Sequence, residues 1–453
     1  MIAASIGRRR GRVLETAIVL AAVGIAVVSA RDFAVSANDS SRLATVECLV
    51  DYRTLAIDRS TWFEQTIDKI RPRPDGPFYS DKPPVLALML AGVYEALHAG
   101  FGLTAAEHKQ VFCYLLTLVC CGVAYVAAVW CLYRLGRVLG LSPGWAAALT
   151  ASFGLATIAP VYTRHLNSNL PTLAAAVAIL LNLAALAHSP RSPWAVGRLL
   201  LIGALAGFAY ALEQPTGGLL LAAAAVAVAV RLRRPSAVVW VGLAALPWMA
   251  LHHAVVYSYA GTFGPPNADP AVFAYPGSQF DAHNLTGRWN HAGPGAFALY
   301  AFLLLFGRHG FVLSNPTLLA ALPAAAWALR RPGARVETAC FGLWGLGVWL
   351  VYAALSNNYG GLCCSIRWFV PLLAPAYYWL ALLLRDLPKY RIDFVVLSGW
   401  GAVLAGYFWV YGPFGAFDYQ AAFPYFFWSV TAAGLLTWAV CRVLRATGAA
   451  PRR

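Results

Sequence analysis

Residues 111–134 read VFCYLLTLVCCGVAYVAAVWCLYR and contain no charged side chain before Arg134. A helix needs about 20 apolar residues to cross the hydrocarbon core of a bilayer, so this stretch is long enough to span a membrane. The rest of the 453-residue chain has the same character, with 60% hydrophobic and 12% charged residues. Soluble domains carry about 25% charged residues. The sequence therefore predicts a fold whose solvent is lipid.

Eleven more apolar stretches are predicted to span the membrane, which gives an all-α polytopic membrane protein with about twelve spans and additional juxtamembrane helices. The first stretch, residues 13–30, follows four arginines and is interpreted as a helix, although a cleaved signal peptide has a similar pattern. Residues 83–97 and 294–306 are short, follow polar loops with Pro and Gly, and are predicted to lie at the membrane surface. The other predicted spans are residues 143–161, 170–187, 198–212, 215–231, 236–257, 316–330, 337–355, 368–384, 393–411 and 424–442.

The distribution of arginine predicts the orientation of these spans. With the two surface helices left out of the count, the arginine-rich connections fall on the same side as both termini, which the positive-inside rule places in the cytoplasm. That side then holds most of the 34 Lys and Arg residues and few of the 19 Asp and Glu residues. The net charge of +15 reflects these clusters rather than a basic stripe that would bind nucleic acid. The predicted organisation is one membrane domain, residues 1–453, with long outer loops at 32–110 and 258–315.

Acidic residues gather in the first outer loop. Asn38 or Asp39 is a good N-cap for a helix whose apolar residues repeat at helical spacing as far as Val50, and this amphipathic helix is predicted to lie on the membrane. Arg42 and Glu47 fall in its polar part. At the mouth of the bundle Asp39 would act as a general base or a metal ligand, although capping alone also explains it. Four other acidic residues of the loop are interpreted as a solvated surface: Asp58, Glu64, Asp68 and Asp75.

A second polar element, Phe78-Tyr79-Ser80-Asp81-Lys82-Pro83-Pro84, directly precedes one of the predicted surface helices. Proline is common at a helix start because its missing N–H would be unpaired there. The charged pair ahead of it is less ordinary. At a membrane surface Lys82 would hold a phosphate and Asp81 would ligate a divalent cation, with Tyr79 a further candidate for the same cavity. The alternative is an interfacial turn whose charges face water.

Polar side chains also occur at the outer ends of several spans, where ionisable groups are costly and mark a cavity or a site. Arg367 is the candidate for phosphate binding there, because Gly360 and Gly361 permit close backbone approach. Anchoring at the interface together with Trp368 is the alternative. His291 in the second outer loop is a candidate metal ligand, although a lone histidine is more often a hydrogen-bonded loop residue. The remaining candidates for lining a cavity are His165, Asn169, Glu213 and Tyr359.

Two local motifs, together with the order of elements along nearly the whole chain, resemble the GT-C superfamily of integral membrane glycosyltransferases. Asp39-Ser40-Ser41-Arg42-Leu43-Ala44 is similar to the Asp-Glu-x-Arg-Tyr-Ala at the start of that superfamily's first outer loop. Tyr79-Ser80-Asp81-Lys82-Pro83-Pro84 is similar to its acidic-Lys-Pro-Pro element before a juxtamembrane helix. The likeness is to the branch of the protein O-mannosyltransferases and the bacterial lipid A aminoarabinose transferases. It implies a transferase of a bacterial inner membrane with its active site facing outward.

The resemblance also implies the substrates and the roles of the residues. The donor would be a polyprenyl-phosphate sugar, and the acceptor a lipid, a glycan or a protein. Asp39 would be the catalytic residue, with Asp81 and Lys82 near a divalent metal ion and the donor phosphate. Arg42 and Arg367 complete the predicted phosphate site.

The sequence departs from the family pattern at two positions. Ser40 replaces the usual second acidic residue, and Asn169 lies where many relatives have an Asp. Glu47 and Glu213 are the candidates for a replacement acid. A transporter or flippase, and a non-catalytic assembly partner, remain alternatives, although repeated halves of the kind found in many carriers are not evident in the sequence.

Overall fold

The computed structural model describes residues 2–414 and 423–447, with side chains from residue 11 onward. Within these ranges most residues are helical, and the one described sheet is a two-stranded hairpin. Twelve described segments are long and apolar enough to cross a membrane, and some of them join consecutive helices of the numbering given below. The predicted class, an all-α polytopic membrane protein with about twelve spans, is confirmed.

The helices are numbered in chain order. Those that precede the second outer loop are α1 (Ile2–Ser29), α2 (Ala37–Asp51), α3 (Pro84–Phe101), α4 (Lys109–Thr117), α5 (Val123–Val138), α6 (Pro143–Leu155), α7 (Asn169–His188), α8 (Ala195–Leu212), α9 (Gln214–Leu232) and α10 (Pro235–Ala260). Those that follow are α11 (Pro294–Phe306), α12 (Phe311–Ser314), α13 (Leu318–Ala328), α14 (Arg335–Ala354), the single turn α15 (Tyr359–Leu362), α16 (Leu373–Asp386), α17 (Arg391–Tyr411) and α18 (Phe423–Ala446).

The twelve long apolar helices differ from the twelve predicted spans. α3 and the segment Pro294–Ser314, which contain the two predicted surface helices, are long enough to cross. Conversely, α6 has only 13 residues and α13 only 11, where spans of ordinary length were predicted. α6 rises about 20 Å and, after a short break, is followed by the 3-10 helix Ala159–Arg164, which adds about 12 Å. Together these two match a hydrocarbon core about 30 Å thick, so helix length alone does not decide which segments cross.

Small residues let two helices of the bundle touch through their backbones. α8 packs against α10 at Gly203, where an added Cβ would lie 2.1 Å from the carbonyl oxygen of Val241. Gly207 meets Ala245 in the same way, with 2.6 Å to its Cα. Close approach through small side chains is how helices pack in lipid, because the hydrophobic effect gives little drive there. This contact fixes α8, whose C-terminal end leads into the cavity described below.

The first outer loop folds over the bundle around α2. Ser36 is the N-cap, and its Oγ accepts a hydrogen bond from the backbone N–H of Asp39, so the prediction of Asn38 or Asp39 as the cap is wrong. The prediction that α2 lies on the membrane with one polar face is also wrong, because nearly all of the helix is buried. Its polar side chains face protein on one side: Ser41 Oγ donates to the carbonyl oxygen of Asp68 at 2.6 Å.

A short hairpin joins the two halves of this loop. Strands β1 (Lys69–Ile70) and β2 (Tyr79–Ser80) are antiparallel, with Lys69 opposite Ser80 and Ile70 opposite Tyr79. This register places the residues just outside the pairs, Asp68 and Asp81, across from each other. The backbone N–H of Asp81 donates to the carbonyl oxygen of Asp68 at 3.4 Å. The hairpin therefore brings two carboxylates together from separate parts of the sequence.

The second outer loop is fastened at two edges. The backbone N–H of Arg71, next to β1, donates to the carbonyl oxygen of Val272 at 2.8 Å. At the other edge the N–H of Gly287 donates to the carbonyl oxygen of Leu355, just after α14, also at 2.8 Å. Between these anchors the loop contributes one wall of a cavity at the helix ends that the two long loops cover.

Candidate active site

The principal polar cavity of the described residues has a volume of about 490 Å³ and lies where both outer loops meet the helix ends. Its charged wall comes from α2, the hairpin, the α8–α9 junction and the segment before α16. Its neutral wall comes from the second outer loop and the turn after α14. The charged lining residues are Arg42, Asp68, Asp81, Lys82, Glu213 and Arg367. The neutral polar ones include Ser168, Asn169, Asn267, Asn284, Thr286, Tyr352 and Asn358.

Lys82 lies between the two carboxylates that the hairpin brings together. Its Nζ is 2.9 Å from an oxygen of Asp68 and 2.9 Å from an oxygen of Asp81. Burial raises the pKa of Asp68, but the Lys82 ammonium outweighs this and holds that pKa below its usual value. Burial raises the pKa of Asp81, and the adjacent Asp68 charge adds to the increase. Asp68 is therefore the ionised partner of Lys82, and Asp81 the carboxyl that retains a proton more readily.

The prediction that Asp68 belongs to a solvated surface is wrong. Asp68 is only 9% exposed, its carbonyl oxygen accepts a hydrogen bond from Ser41, and its carboxylate pairs with Lys82. Sequence reasoning missed it because Asp68 stands in a hydrophilic stretch with Lys69 and Arg71. Only the pairing of β1 with β2 shows that it faces Asp81.

Arg367 has its guanidinium in the cavity without a protein acceptor. Among the described residues no carboxylate or carbonyl oxygen accepts a hydrogen bond from it, although it lines the cavity with Trp368. Gly360 and Gly361 pass beside its side chain with φ of 74° and 80°, in the left-handed region. A Cβ on Gly360 would lie 3.3 Å from Cγ of Arg367. The glycines thus leave room for a guanidinium whose five N–H donors are free for an anion.

Arg42 and Glu213 approach the cavity from opposite sides of Ser168. Arg42 donates to Asn38 and, at 3.4 Å, to Ser168 Oγ. Glu213 accepts from Ser168 Oγ at 3.5 Å and from the Tyr352 hydroxyl at 2.8 Å. These contacts hold a cation and an anion in place without direct contact between them. Asn169 lines the same part of the cavity.

Asp39 lies behind the cavity wall and is not among the described residues that line the cavity. Its two carboxylate oxygens accept hydrogen bonds from Ser36 Oγ at 2.7 Å and from the Val35 N–H at 3.0 Å. The residue is 1% exposed, and burial raises its pKa from 3.8 to about 7. In the structure Asp39 secures the start of α2.

The other candidate residues lie outside this cavity. Glu47 is fully buried and accepts from Ser60 Oγ at 2.5 Å and from the Thr61 N–H at 2.8 Å. Tyr79 stacks on Tyr259 with ring centroids 4.9 Å apart and borders a much smaller neighbouring pocket. These contacts are structural.

Three more candidates surround the cavity without lining it. His165 is buried with its ring 5.4 Å from that of Phe414. Tyr359 packs against Tyr300 with ring centroids 4.9 Å apart. His291 is within hydrogen-bonding distance of the carbonyl oxygen of Ala353, at 2.7 Å. The structure therefore does not bring these side chains to the charged wall.

The described side chains contain no preformed site for a divalent metal ion. No group of three His, Cys, Asp or Glu residues that would hold an ion occurs among them. Asp81 and His291, both candidate ligands, lie in different surroundings, and the ammonium of Lys82 fills the position between Asp68 and Asp81. A cation placed there would have to displace Lys82.

The fold is of the GT-C type, as the resemblance of the sequence motifs predicted. ArnT from Cupriavidus metallidurans bound to undecaprenyl phosphate is similar with a TM-score of 0.54 and 15% identity over 95% of this chain and 72% of that one. The apo state of the same protein has a TM-score of 0.55 and 14% identity, over 95% of this chain and 71% of that one. The oligosaccharyltransferase of Archaeoglobus fulgidus in complex with Zn and sulfate gives 0.50 and 12%, over 87% of this chain but only 53% of that one. No protein-family model and no curated protein sequence matches the chain.

Proposed function

We propose that the protein is a membrane glycosyltransferase that moves a sugar from a polyprenyl-phosphate donor to an acceptor on the non-cytoplasmic face. The observation that carries this proposal is the unpartnered guanidinium of Arg367 inside a cavity that Arg42 and Lys82 also line. A partly buried cation without a protein partner is costly, and a phosphate supplies the missing charge with bidentate geometry. The cavity opens at the ends of apolar helices, where the phosphate of a membrane-bound lipid would lie.

The two kinds of cation in the cavity have different parts in this reaction. Lys82 is already matched by Asp68 and Asp81, so it adds little net charge. Arg367 and Arg42 supply the positive potential. When the bond between the anomeric carbon and the phosphate oxygen breaks, the electron pair stays on that oxygen, and donors aimed at it lower the barrier. Arg367 is the group we assign to this oxygen.

The neutral wall of the cavity suits the sugar. Asn267, Asn284, Thr286 and Asn358 are uncharged polar members of the cavity lining. Such groups donate to and accept from the hydroxyls of a sugar without requiring a charge on it. ArnT from Cupriavidus metallidurans was crystallised with undecaprenyl phosphate, which is a lipid of the kind that the proposed donor would release after sugar transfer. The acceptor, whether lipid, glycan or protein, contacts the mouth of the same cavity.

The experiment is a transfer assay with the purified protein in lipid nanodiscs. A pool of radiolabelled polyprenyl-phosphate sugars is supplied, and release of the sugar from the lipid is followed together with binding of sugar-free polyprenyl phosphate. Wild type is expected to bind the lipid and release label. Arg367→Ala is expected to lose at least tenfold in lipid affinity, which is about 1.4 kcal/mol. Arg288→Ala, which removes an exposed arginine of the second outer loop, is the matched control and is expected to behave as wild type.

Two results would contradict the proposal. One is wild-type protein that neither binds polyprenyl phosphate nor cleaves any donor in the pool. The other is movement of the labelled lipid from one leaflet to the other in proteoliposomes, without release of its sugar, which would identify a flippase. Equal loss of affinity in Arg367→Ala and Arg288→Ala would show that general charge, not the cavity, attracts the lipid.

A further inference from the structure

Three carboxylates line the cavity, and they are not equivalent. Asp68 and Asp81 share the ammonium of Lys82. Glu213 has no Lys, Arg or His nitrogen of the described residues within ion-pair distance. It is therefore the one of these three carboxylates that forms no direct ion pair with a described cation.

The backbone presents Glu213 to the cavity. It is the single residue between α8 and α9, with φ −156° and ψ 96°, so the chain is extended there for one position. Its own carbonyl oxygen accepts from the N–H of Gly217 at 2.8 Å, which starts the next helix. An added Cβ on Gly217 would lie 2.2 Å from the backbone of Ala209, so the junction is tightly closed. The direction of the Glu213 side chain is consequently fixed by the helix pair.

Two neutral donors orient the carboxylate without neutralising it. The Tyr352 hydroxyl donates to one oxygen at 2.8 Å, and Ser168 Oγ donates to the other at 3.5 Å. Tyr352 is itself held by parallel stacking on Trp368, with ring centroids 4.2 Å apart and planes 6° apart. Each carboxylate oxygen has two lone pairs, so each retains one for a further donor. A hydroxyl that enters the cavity would meet a positioned acceptor.

The contrast with Asp39 is geometric. Asp39 accepts hydrogen bonds from residues close to it in sequence, Val35 and Ser36, and it does not line the cavity. Glu213 accepts bonds from other elements and is part of the lining. A general base must reach the proton that it removes, and on this criterion Glu213 is favoured.

We propose that Glu213 is the general base that activates the acceptor, which we infer to be a hydroxyl compound. This rests on the proposed glycosyltransferase function. The acceptor O–H proton passes to Glu213, and the acceptor oxygen forms a bond to the anomeric carbon of the sugar. The bond from that carbon to the donor phosphate breaks, and its electron pair leaves on the polyprenyl phosphate beside Arg367. The proton on Glu213 is then released to water, which restores the carboxylate.

The test compares Glu213→Gln with wild type in the transfer assay and in polyprenyl phosphate binding. The amide keeps the size of the side chain and can still accept from Tyr352, but it cannot take a proton. We expect a loss in kcat of about 10² to 10⁴, as for removal of a general base. Lipid binding should stay within threefold of wild type. Glu64→Gln, at an exposed position of the first outer loop, is the matched control and should retain full kcat.

A chemical rescue separates loss of the base from loss of structure. Azide is an anion at neutral pH and needs no base to become a nucleophile. It should therefore restore cleavage of the donor by Glu213→Gln, with a glycosyl azide as the product. Full kcat in Glu213→Gln would overturn the assignment. It would also be overturned if Glu213→Gln neither bound the lipid nor cleaved the donor in the presence of azide, because Glu213 would then have a structural role. Loss of transfer in Asp39→Asn with normal transfer in Glu213→Gln would reassign the base to Asp39. Absence of donor cleavage by wild type would instead overturn the proposed function, and the role of Glu213 with it.

Discussion

The ammonium of Lys82 lies 2.9 Å from a carboxylate oxygen of Asp68, the residue just before the first strand of the hairpin. The Lys82 side chain is 14% exposed and that of Asp68 13%, so water screens the pair only weakly. Removing one partner from such a pair is costly because the other charge is left in a poorly solvated place. The hairpin therefore sets the charge of the cavity as well as its shape.

Asp68→Asn is expected to reduce donor cleavage more than tenfold. The amide cannot balance the ammonium, so Lys82 would rely on Asp81 alone and lose the position that the two carboxylates now define. Steady-state cleavage of the polyprenyl-phosphate sugar measures this effect. Asp75→Asn, at an exposed position in the turn of the same hairpin, is the control and should change the rate less than twofold. Equal rates in the two variants would show that Asp68 has no part in the site.

Gly360→Ala is expected to weaken lipid binding by about tenfold. Gly360 has φ 74°, a conformation that costs a residue with a Cβ roughly 1–2 kcal/mol, and the new methyl group would press on Cγ of Arg367. The guanidinium should shift within the cavity. Titration with polyprenyl phosphate measures the change. The control is Gly295→Ala near the start of α11, where no atom lies within 4 Å of the added Cβ, and unchanged affinity in Gly360→Ala would contradict the expected shift.

Tyr352→Phe is expected to lower kcat by roughly three- to tenfold with little change in lipid affinity. The substitution keeps the ring stacked on Trp368 but removes the hydroxyl that donates to Glu213, a bond worth about 1–1.5 kcal/mol. The expected split between kcat and affinity distinguishes orientation of Glu213 from damage to the phosphate site. Tyr257→Phe, at a tyrosine that is 52% exposed, serves as the control. A loss confined to affinity would place Tyr352 at the phosphate instead.

The thermal stability of the wild type should fall as the pH rises from about 4 to 7, between the unfolded and the folded pKa of Asp39. Burial raises the pKa of Asp39 from 3.8 to about 7, so the folded protein retains a proton that the unfolded chain releases at lower pH. The resulting stabilisation is complete below the unfolded pKa and is lost as the pH rises through the folded one. Asp39→Asn cannot ionise and should remove this part of the pH dependence. Melting temperatures of the two proteins in detergent, measured across this range, give the comparison, and parallel curves would contradict it.

Gly203→Ala is expected to destabilise the bundle by at least about 1–3 kcal/mol, because the added Cβ would overlap the carbonyl oxygen of Val241. Yield of monodisperse protein and melting temperature in detergent report this loss. Gly242→Ala is the control on the facing helix, since no atom lies within 4 Å of its added Cβ. Equal stability of both variants would mean that α8 and α10 can separate without cost.

The sequence by itself determined the solvent of the fold and its helical class, and it indicated several residues that line the polar cavity. Long uncharged runs such as residues 111–133 form helices in lipid, because a helix satisfies its own backbone hydrogen bonds. Composition and local motifs carry this information, and so they also indicated Lys82, Arg367 and Glu213 as site candidates. These features depend on neighbours within one stretch of chain.

Only the tertiary structure decided which polar side chains share the cavity. The register of the outer hairpin placed Asp68 beside Lys82, and the capping of α2 by Ser36 turned Asp39 away from the cavity lining. The closed junction of α8 and α9 brought Glu213 to the cavity with Tyr352 from α14. A carboxylate has the same local sequence signal whether it faces water, a cap or a lysine. Its role depends on partners distant along the chain, which are set by strand register and helix packing.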